Sequence, residues 1–195
     1  MTRLFYDCEF IDDGRTIDLV SIGIVSDTGA EYYAVSSEFD FAAFARNQWL
    51  VDNVWPSLPR IGGDARNHIP TRTAFGRPRP RHKLLRDLFD YSAREVKSRT
   101  VIAAQVYDFI ASVPQPQLWA WYGAYDHVAL AQLWGPMIAL PRGVPMFTND
   151  LKQEAVRLGN PQLPKQAAGE HNALADARHN RTIAHFLDDL ETRRS

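Results

Sequence analysis

In the first 36 residues short apolar runs are broken by single polar residues and by turn-forming clusters, a pattern that reads as three strands. Three segments, LFYDCEFI (4–11), TIDLVSIGIVS (16–26) and EYYAVS (31–36), are rich in β-branched and aromatic residues. Asp27-Thr28-Gly29 separates the second from the third as a hairpin signal, so an antiparallel meander is predicted to open the fold. Phe41 to Trp55 is compatible with a short helix. Pro56 to Pro80, broken by five prolines and Gly62-Gly63, reads as a long excursion. Ser92-Ala93-Arg94-Glu95 has capping-box form, and Val96, Val101, Ile102, Val106, Phe109 and Ile110 then recur at approximately helical spacing until Pro114. Gln117 to Tyr122 reads as a short strand and Asp126 to Trp134 as a helix. Asp150 to Leu158 ends helically at Gly159, and Ala173 to Leu190 is a last long helix. A fourth strand, parallel and reached by a crossover, makes an α/β layer fold the expectation.

Length and composition narrow the class. A chain of 195 residues suits one domain with an elaborated loop, here a basic Pro/Arg-rich insertion at about residues 56–90. Hydrophobic residues at 45% and charged residues at 23% exclude a disordered chain. The N-terminus lacks a signal pattern, and no apolar run approaches the ~18 residues of a membrane span. Cys8 is the single cysteine, which rules out an internal disulfide and a multi-cysteine zinc site and suits a reducing, cytoplasmic setting. Any metal must then be held by oxygen or imidazole.

The net charge of −1 conceals an asymmetry. Residues 60–99 carry 11 of the 22 Lys and Arg against four acids, so this segment is +7 and the remainder −8. An acidic body with a basic arm could bring an RNA backbone to a metal site, and a solvated loop with incidental arginines is the alternative.

Asp7 and Glu9 stand two apart on a predicted strand, so both carboxylates share one face with Cα atoms roughly 6.5 Å apart. Leu4, Tyr6, Cys8 and Phe10 take the other face. Like charges this close raise each other's pKa, and a divalent cation would relieve the cost, although such a pair also occurs on ordinary surface strands. Asp126 falls where a strand gives way to a helix, a place that favours an ionised carboxylate and equally a simple helix cap. His171 and Asp176 are five apart, about 140° around a helix, so they converge only if His171 precedes the helix in a loop. Pro164 and Gly169 allow such a loop, and a histidine of ordinary pKa, ~6.5, can take a proton from water at neutral pH.

The ordered set Asp7-x-Glu9, Asp126, His171 and Asp176 resembles the DEDDh 3′-to-5′ exonuclease superfamily, which includes RNase T and bacterial proofreading exonucleases. Phe5 to Gly14, Trp119 to His127, Gln132 to Met137 and His171 to Arg178 are most similar to the actinobacterial polyadenylate-specific exoribonucleases of the RNase AS type. The resemblance implies an RNase H-like exonuclease fold, a mixed five-stranded sheet with its first three strands antiparallel, flanked by helices. It implies hydrolysis of single-stranded RNA from the 3′ end to nucleoside 5′-monophosphates. Two Mg²⁺ ions, replaceable by Mn²⁺, would be held by Asp7, Glu9, Asp126 and Asp176, with His171 as general base. Phe10 would stack on a base, Glu9 would accept from the terminal 3′ hydroxyl, and a homodimer is expected. Arg77, Arg79 and Arg81 are candidates for the RNA backbone. The long basic segment departs from the group's pattern. A DNA-directed exonuclease and an inactive nucleic-acid-binding module of the same fold are the rival readings.

Overall fold

A computed structural model describes residues 1–62 and 69–194. Residues 63–68 of the basic segment, Arg66 among them, lie outside the described residues.

The three N-terminal segments form antiparallel strands, β1 (Thr2–Asp12), β2 (Ile17–Ser26) and β3 (Glu31–Ser36). Two short helices follow, α1 (Phe41–Arg46) and α2 (Gln48–Asn53), each started by a side chain that accepts from the first turn, Asp40 and Asn47 respectively. The excursion carries a third helix, α3 (Arg81–Leu88), entered directly after Pro80. The helix expected from Ser92 begins later. Ser92 bonds back to Asp90, and Val96–Lys97 instead pairs parallel with β3 as β4; Ser98 then caps α4 (Arg99–Ala111). The crossover places β5 (Pro116–Ala120) parallel to β1. Helix α5 (Ala124–Ala131), strand β6 (Asn149–Asp150), helix α6 (Leu151–Arg157) and the long helix α7 (Ala173–Arg194) complete the chain.

The sheet has six strands in the order β4-β3-β2-β1-β5-β6, one more than the five expected. Two-residue pairings at its edges, Val35 with Val96 and Trp119 with Asn149, are set by tertiary contact and are too short to leave a period in the sequence. No helix of the described residues is long and apolar enough to cross a membrane.

One face of the sheet is sealed by a continuous cluster in which Leu4, Tyr6 and Cys8 of β1 pack with Ile22 and Ile24 of β2 and with Ile102, Val106 and Ile110 of α4. The other face is covered in two separate pieces. Phe5 packs with Leu151, Ala155, Ile183 and Leu187 of α6 and α7, whereas Ile11 packs with Val20, Phe39, Phe44, Leu50 and Trp55 from the α1–α2 side. Asp7 and Glu9 are the two residues of this face between Phe5 and Ile11. The gap between two apolar covers is therefore where the strand presents its carboxylates.

Candidate active site

Each functional side chain is set by an identifiable local feature. Opposite the Glu9–Phe10 step, β2 carries Val20 as an extra residue in a bulge that interrupts the regular pairing. Phe10 lines the cavity while still packing partly on the sealed face. Gly23 of β2 sits opposite Asp7, and a Cβ there would lie 2.4 Å from Ala173 O and from the Leu174 backbone. Its missing side chain thus lets the start of α7 rest directly on the sheet. Buried Asn180 fastens the same helix, its Nδ2 donating to the Tyr6 carbonyl at 3.0 Å. Asn172 caps α7 by accepting from the Ala175 N–H at 3.1 Å.

His171 stands just before that cap, outside the helix, with a left-handed φ of 64°. A non-glycine residue in this conformation needs surrounding contacts to hold it. Two come from the α2 side: Ser57 Oγ donates to the His171 carbonyl at 2.7 Å, and the Trp49 ring meets the imidazole edge-on with centroids 4.8 Å apart. Asp126 is the third residue of α5 and is not its cap, which is Gly123 without a side-chain bond. The Asp126 carboxylate instead reaches across to β1, where Oδ1 accepts from the Cys8 N–H at 2.8 Å. Asp176 lies in the first turn of α7, and its Oδ1 accepts from Gln166 Nε2 at 2.7 Å.

Asp7, Glu9, Asp126, His171 and Asp176 together line one cavity of about 300 Å³, with Phe10, Trp49, Trp121, Tyr122 and Tyr125 as further walls. A second hollow of about 600 Å³ opens from it past Asp176, between Trp121, Lys165, Gln166 and His179. Phe10 and Tyr125 face each other nearly parallel, 14° between planes and 6.1 Å between centroids. Trp49, Tyr125 and Gln166 were not singled out by sequence reasoning, and no spacing rule marks such wall residues.

The electrostatics are those of an acidic cluster lacking its counter-charge. Glu9 and Asp126 are buried, and among the described residues none of the four carboxylates pairs with Lys or Arg. Burial, then the charges of Asp126, Glu9 and Asp176, hold Asp7 well above the ordinary carboxylate range. Burial with the charges of Asp176 and Asp126 pushes Glu9 up to about 8. Asp126 is pushed to about 7, burial outweighing the Cys8 N–H bond that favours its ionised form. Asp176 is raised by burial against the opposing bond from Gln166. A ligand atom from each of Glu9, His171 and Asp176 lies within 4.8 Å of the others, so a cation placed among them would meet several donors at once. The donor set, oxygen-rich with one imidazole and no thiolate, fits hard divalent cations.

The candidate backbone arginines do not line this cavity. Arg79 forms an ion pair with Asp87 of α3, and Arg81 Nη1 donates to Gln48 Oε1 at 2.7 Å. The Arg77 guanidinium has no hydrogen-bond or ion-pair partner among the described residues.

The architecture is similar to that of the metal-free E. coli ExoI–ssDNA complex, with a TM-score of 0.53 and 12% identity over 100% of this chain and 42% of that one. It is also similar to S. pombe Pop2p in its Mg²⁺- and Mn²⁺-bound form, with a TM-score of 0.51 and 11% identity over 95% of this chain and 81% of that one. The chain thus spans less than half of ExoI and most of Pop2p. The fold is the RNase H-like α/β fold of DEDD-type exonucleases.

Sequence similarity is more specific. The chain is 42% identical over 176 residues to a 3′-5′ exoribonuclease of Mycobacterium tuberculosis, found in two strains, with 90% of this chain and 87% of the relative covered. It belongs to that 3′-5′ exoribonuclease family of hydrolytic enzymes. No protein-family model matches the chain.

Proposed function

We propose that this protein shortens single-stranded RNA from the 3′ end, adenylate-rich tails in particular, releasing nucleoside 5′-monophosphates. The observation that carries the reading is the convergence of Asp7, Glu9, Asp126, His171 and Asp176 on one cavity, in a chain 42% identical to a 3′-5′ exoribonuclease.

Asp7, Glu9, Asp126 and Asp176 are the residues that would hold two Mg²⁺ ions, or Mn²⁺ in their place. Such a pair, when bound, activates water and stabilises the departing oxygen of a phosphodiester. His171 takes the proton of the attacking water on a ring nitrogen, its loop held by Ser57 and its ring by Trp49. The new bond joins water oxygen to phosphorus and the P–O3′ bond breaks. The phosphate stays on the released nucleotide and a 3′ hydroxyl is left on the shortened strand. Glu9 accepts from the terminal 3′ hydroxyl, and Phe10 with Tyr125 offers ring faces to the bases, a contact that tolerates any sequence. The resemblance to the polyadenylate-specific group supports the adenylate preference, a homodimeric assembly and a cytoplasmic setting.

Digestion of oligo(A), oligo(U), oligo(C) and a DNA strand with Mg²⁺, with chromatography of the products, tests the reading. Release of AMP from oligo(A) ahead of the other substrates is expected. Equal or faster trimming of DNA would favour a DNA-directed enzyme, and no mononucleotide from any strand would leave a binding module.

A further inference from the structure

Outside the cavity, the densest run of one charge lies in the segment that leads into and through α3. From Thr71 to Arg86 the sequence has six Arg and Lys and no Asp or Glu. Part of it folds into a tight hairpin. The Thr73 N–H donates to Arg77 O at 2.8 Å, the Gly76 N–H to Thr73 O at 2.9 Å and the Arg79 N–H to Thr71 O at 3.0 Å. Gly76, with a left-handed φ of 74°, closes the turn, and Arg72 Nη1 braces it by donating to Gly76 O at 2.7 Å. Phe75 stands at the tip, 92% exposed.

The base of the hairpin is fixed to the wall of the cavity. Arg79 ties it to α3 through Asp87 and to Pro70 O at 2.9 Å. Leu85 of α3 is buried in the same cluster as Leu50 of α2. Arg81 bonds Gln48, the residue before Trp49, and Trp49 both lines the cavity and touches His171. Arg79 and Arg81 therefore anchor the arm, while Phe75, Arg72 and Arg77 are displayed by it.

A single exposed phenylalanine is ordinary. An exposed ring at the tip of a braced turn whose sequence also carries Arg72 and Arg77 is complementary to base faces and phosphates together. We propose that the hairpin is a second RNA-binding element, in which Phe75 stacks on a base of the strand upstream of the cavity and Arg72 and Arg77 face its phosphates. The inference rests on the exoribonuclease reading of the cavity. A protein partner is the less favoured occupant because the run from Thr71 to Arg86 carries six Arg and Lys and no acid, a charge that a polyanionic strand matches along its whole length.

The test separates binding from hydrolysis. Fluorescence anisotropy of a labelled long oligoadenylate in EDTA reads binding. Turnover of the shortest oligoadenylate that the wild type hydrolyses in Mg²⁺ reads the cavity alone. Phe75→Ala is expected to raise Kd for the long strand roughly tenfold, with turnover of the short one unchanged and Phe75→Trp restoring affinity. Arg77→Ala is expected to lower the slope of log K against log salt by about 0.7. Unchanged affinity in both variants overturns the proposal. So does a change of mass in light scattering accompanied by loss of short-strand turnover, which would put a second copy of the chain on the hairpin. If the wild type hydrolyses no RNA and Phe75→Ala still weakens binding, the reading of the cavity fails and the role of the hairpin stands.

Discussion

Ser57 Oγ donates to the carbonyl of His171 at 2.7 Å, so a residue from the α2 side holds the backbone of the proposed general base. The same hydroxyl lies 2.8 Å from Val54 O, so its one hydrogen is shared between two carbonyls and brings the His171 loop up to the end of α2. Ser57→Ala removes this tether from a residue held at φ 64°. The expected cost is about 1 kcal/mol of stability and roughly tenfold in kcat through lost orientation of the imidazole. Trp49→Ala should act in the same direction. Steady-state kinetics on oligo(A), with a thermal melt of each variant, check this; an unchanged kcat would remove both residues from the positioning of His171.

Gly23→Ala is expected to be the most disruptive alanine substitution among the described glycines. The added Cβ would lie 2.4 Å from backbone atoms of Ala173 and Leu174, which cannot move aside as a side-chain tip could. Overpacking of this kind costs about 1–3 kcal/mol or more, and the displaced α7 carries Asp176 away from Asp7 and Glu9. A melt and an activity assay should therefore fall together, and a variant with wild-type activity would show that α7 need not lie this close.

Stability without metal should fall as pH rises. Glu9, at about 8, and Asp126, at about 7, have folded values above the ordinary unfolded carboxylate range. The folded state then binds more protons than the unfolded state between about pH 4 and those values, so the slope of stability with pH is negative across that window. In EDTA, the contribution of these groups should lower Tm progressively from about pH 5 to pH 8. Added Mg²⁺ should raise Tm most at the alkaline end, and Glu9→Gln should flatten the metal-free curve. A metal-free Tm that climbs over this range would contradict the uncompensated cluster.

Metal binding and proton transfer should separate by mutation. Asp7→Ala is expected to weaken Mn²⁺ binding, read by calorimetry, and to reduce turnover by on the order of a thousandfold or more. His171→Ala should leave most of that affinity and slow the chemistry by about 10²–10⁴-fold. Full rate in His171→Ala at neutral pH would remove the histidine from the base role.

Much of the fold was legible because the chain begins with short runs of β-branched and aromatic residues, the composition that a sheet covered on both faces demands. Where the structure departs from the pattern, tertiary contact decides. Ser92-Ala93-Arg94-Glu95 has the letters of a capping box, yet the Glu95 carbonyl accepts from the Val35 N–H at 2.8 Å and the segment runs into β4. The cap of α4 is Ser98. Asp7 and Glu9 could be placed on a common face from spacing alone, and their meeting with Asp126, His171 and Asp176 in one cavity was expected from resemblance. The walls were not legible: Trp49 reaches the cavity, and Gln166 the adjoining hollow, through loops and short helices whose paths no local period encodes. Asn180, a polar residue on the buried side of α7, could have been noticed, because a buried amide inside a helix implies a partner.

The most direct test of the central claim follows a 5′-labelled single-stranded RNA through digestion in Mg²⁺ by the wild type and by Asp176→Ala. A ladder that shortens one nucleotide at a time from the 3′ end, with 5′-monophosphate products and no reaction in Asp176→Ala, is the expected result. Internal cleavage fragments, or an undiminished rate in Asp176→Ala, would contradict a single catalytic centre built from these four carboxylates and His171.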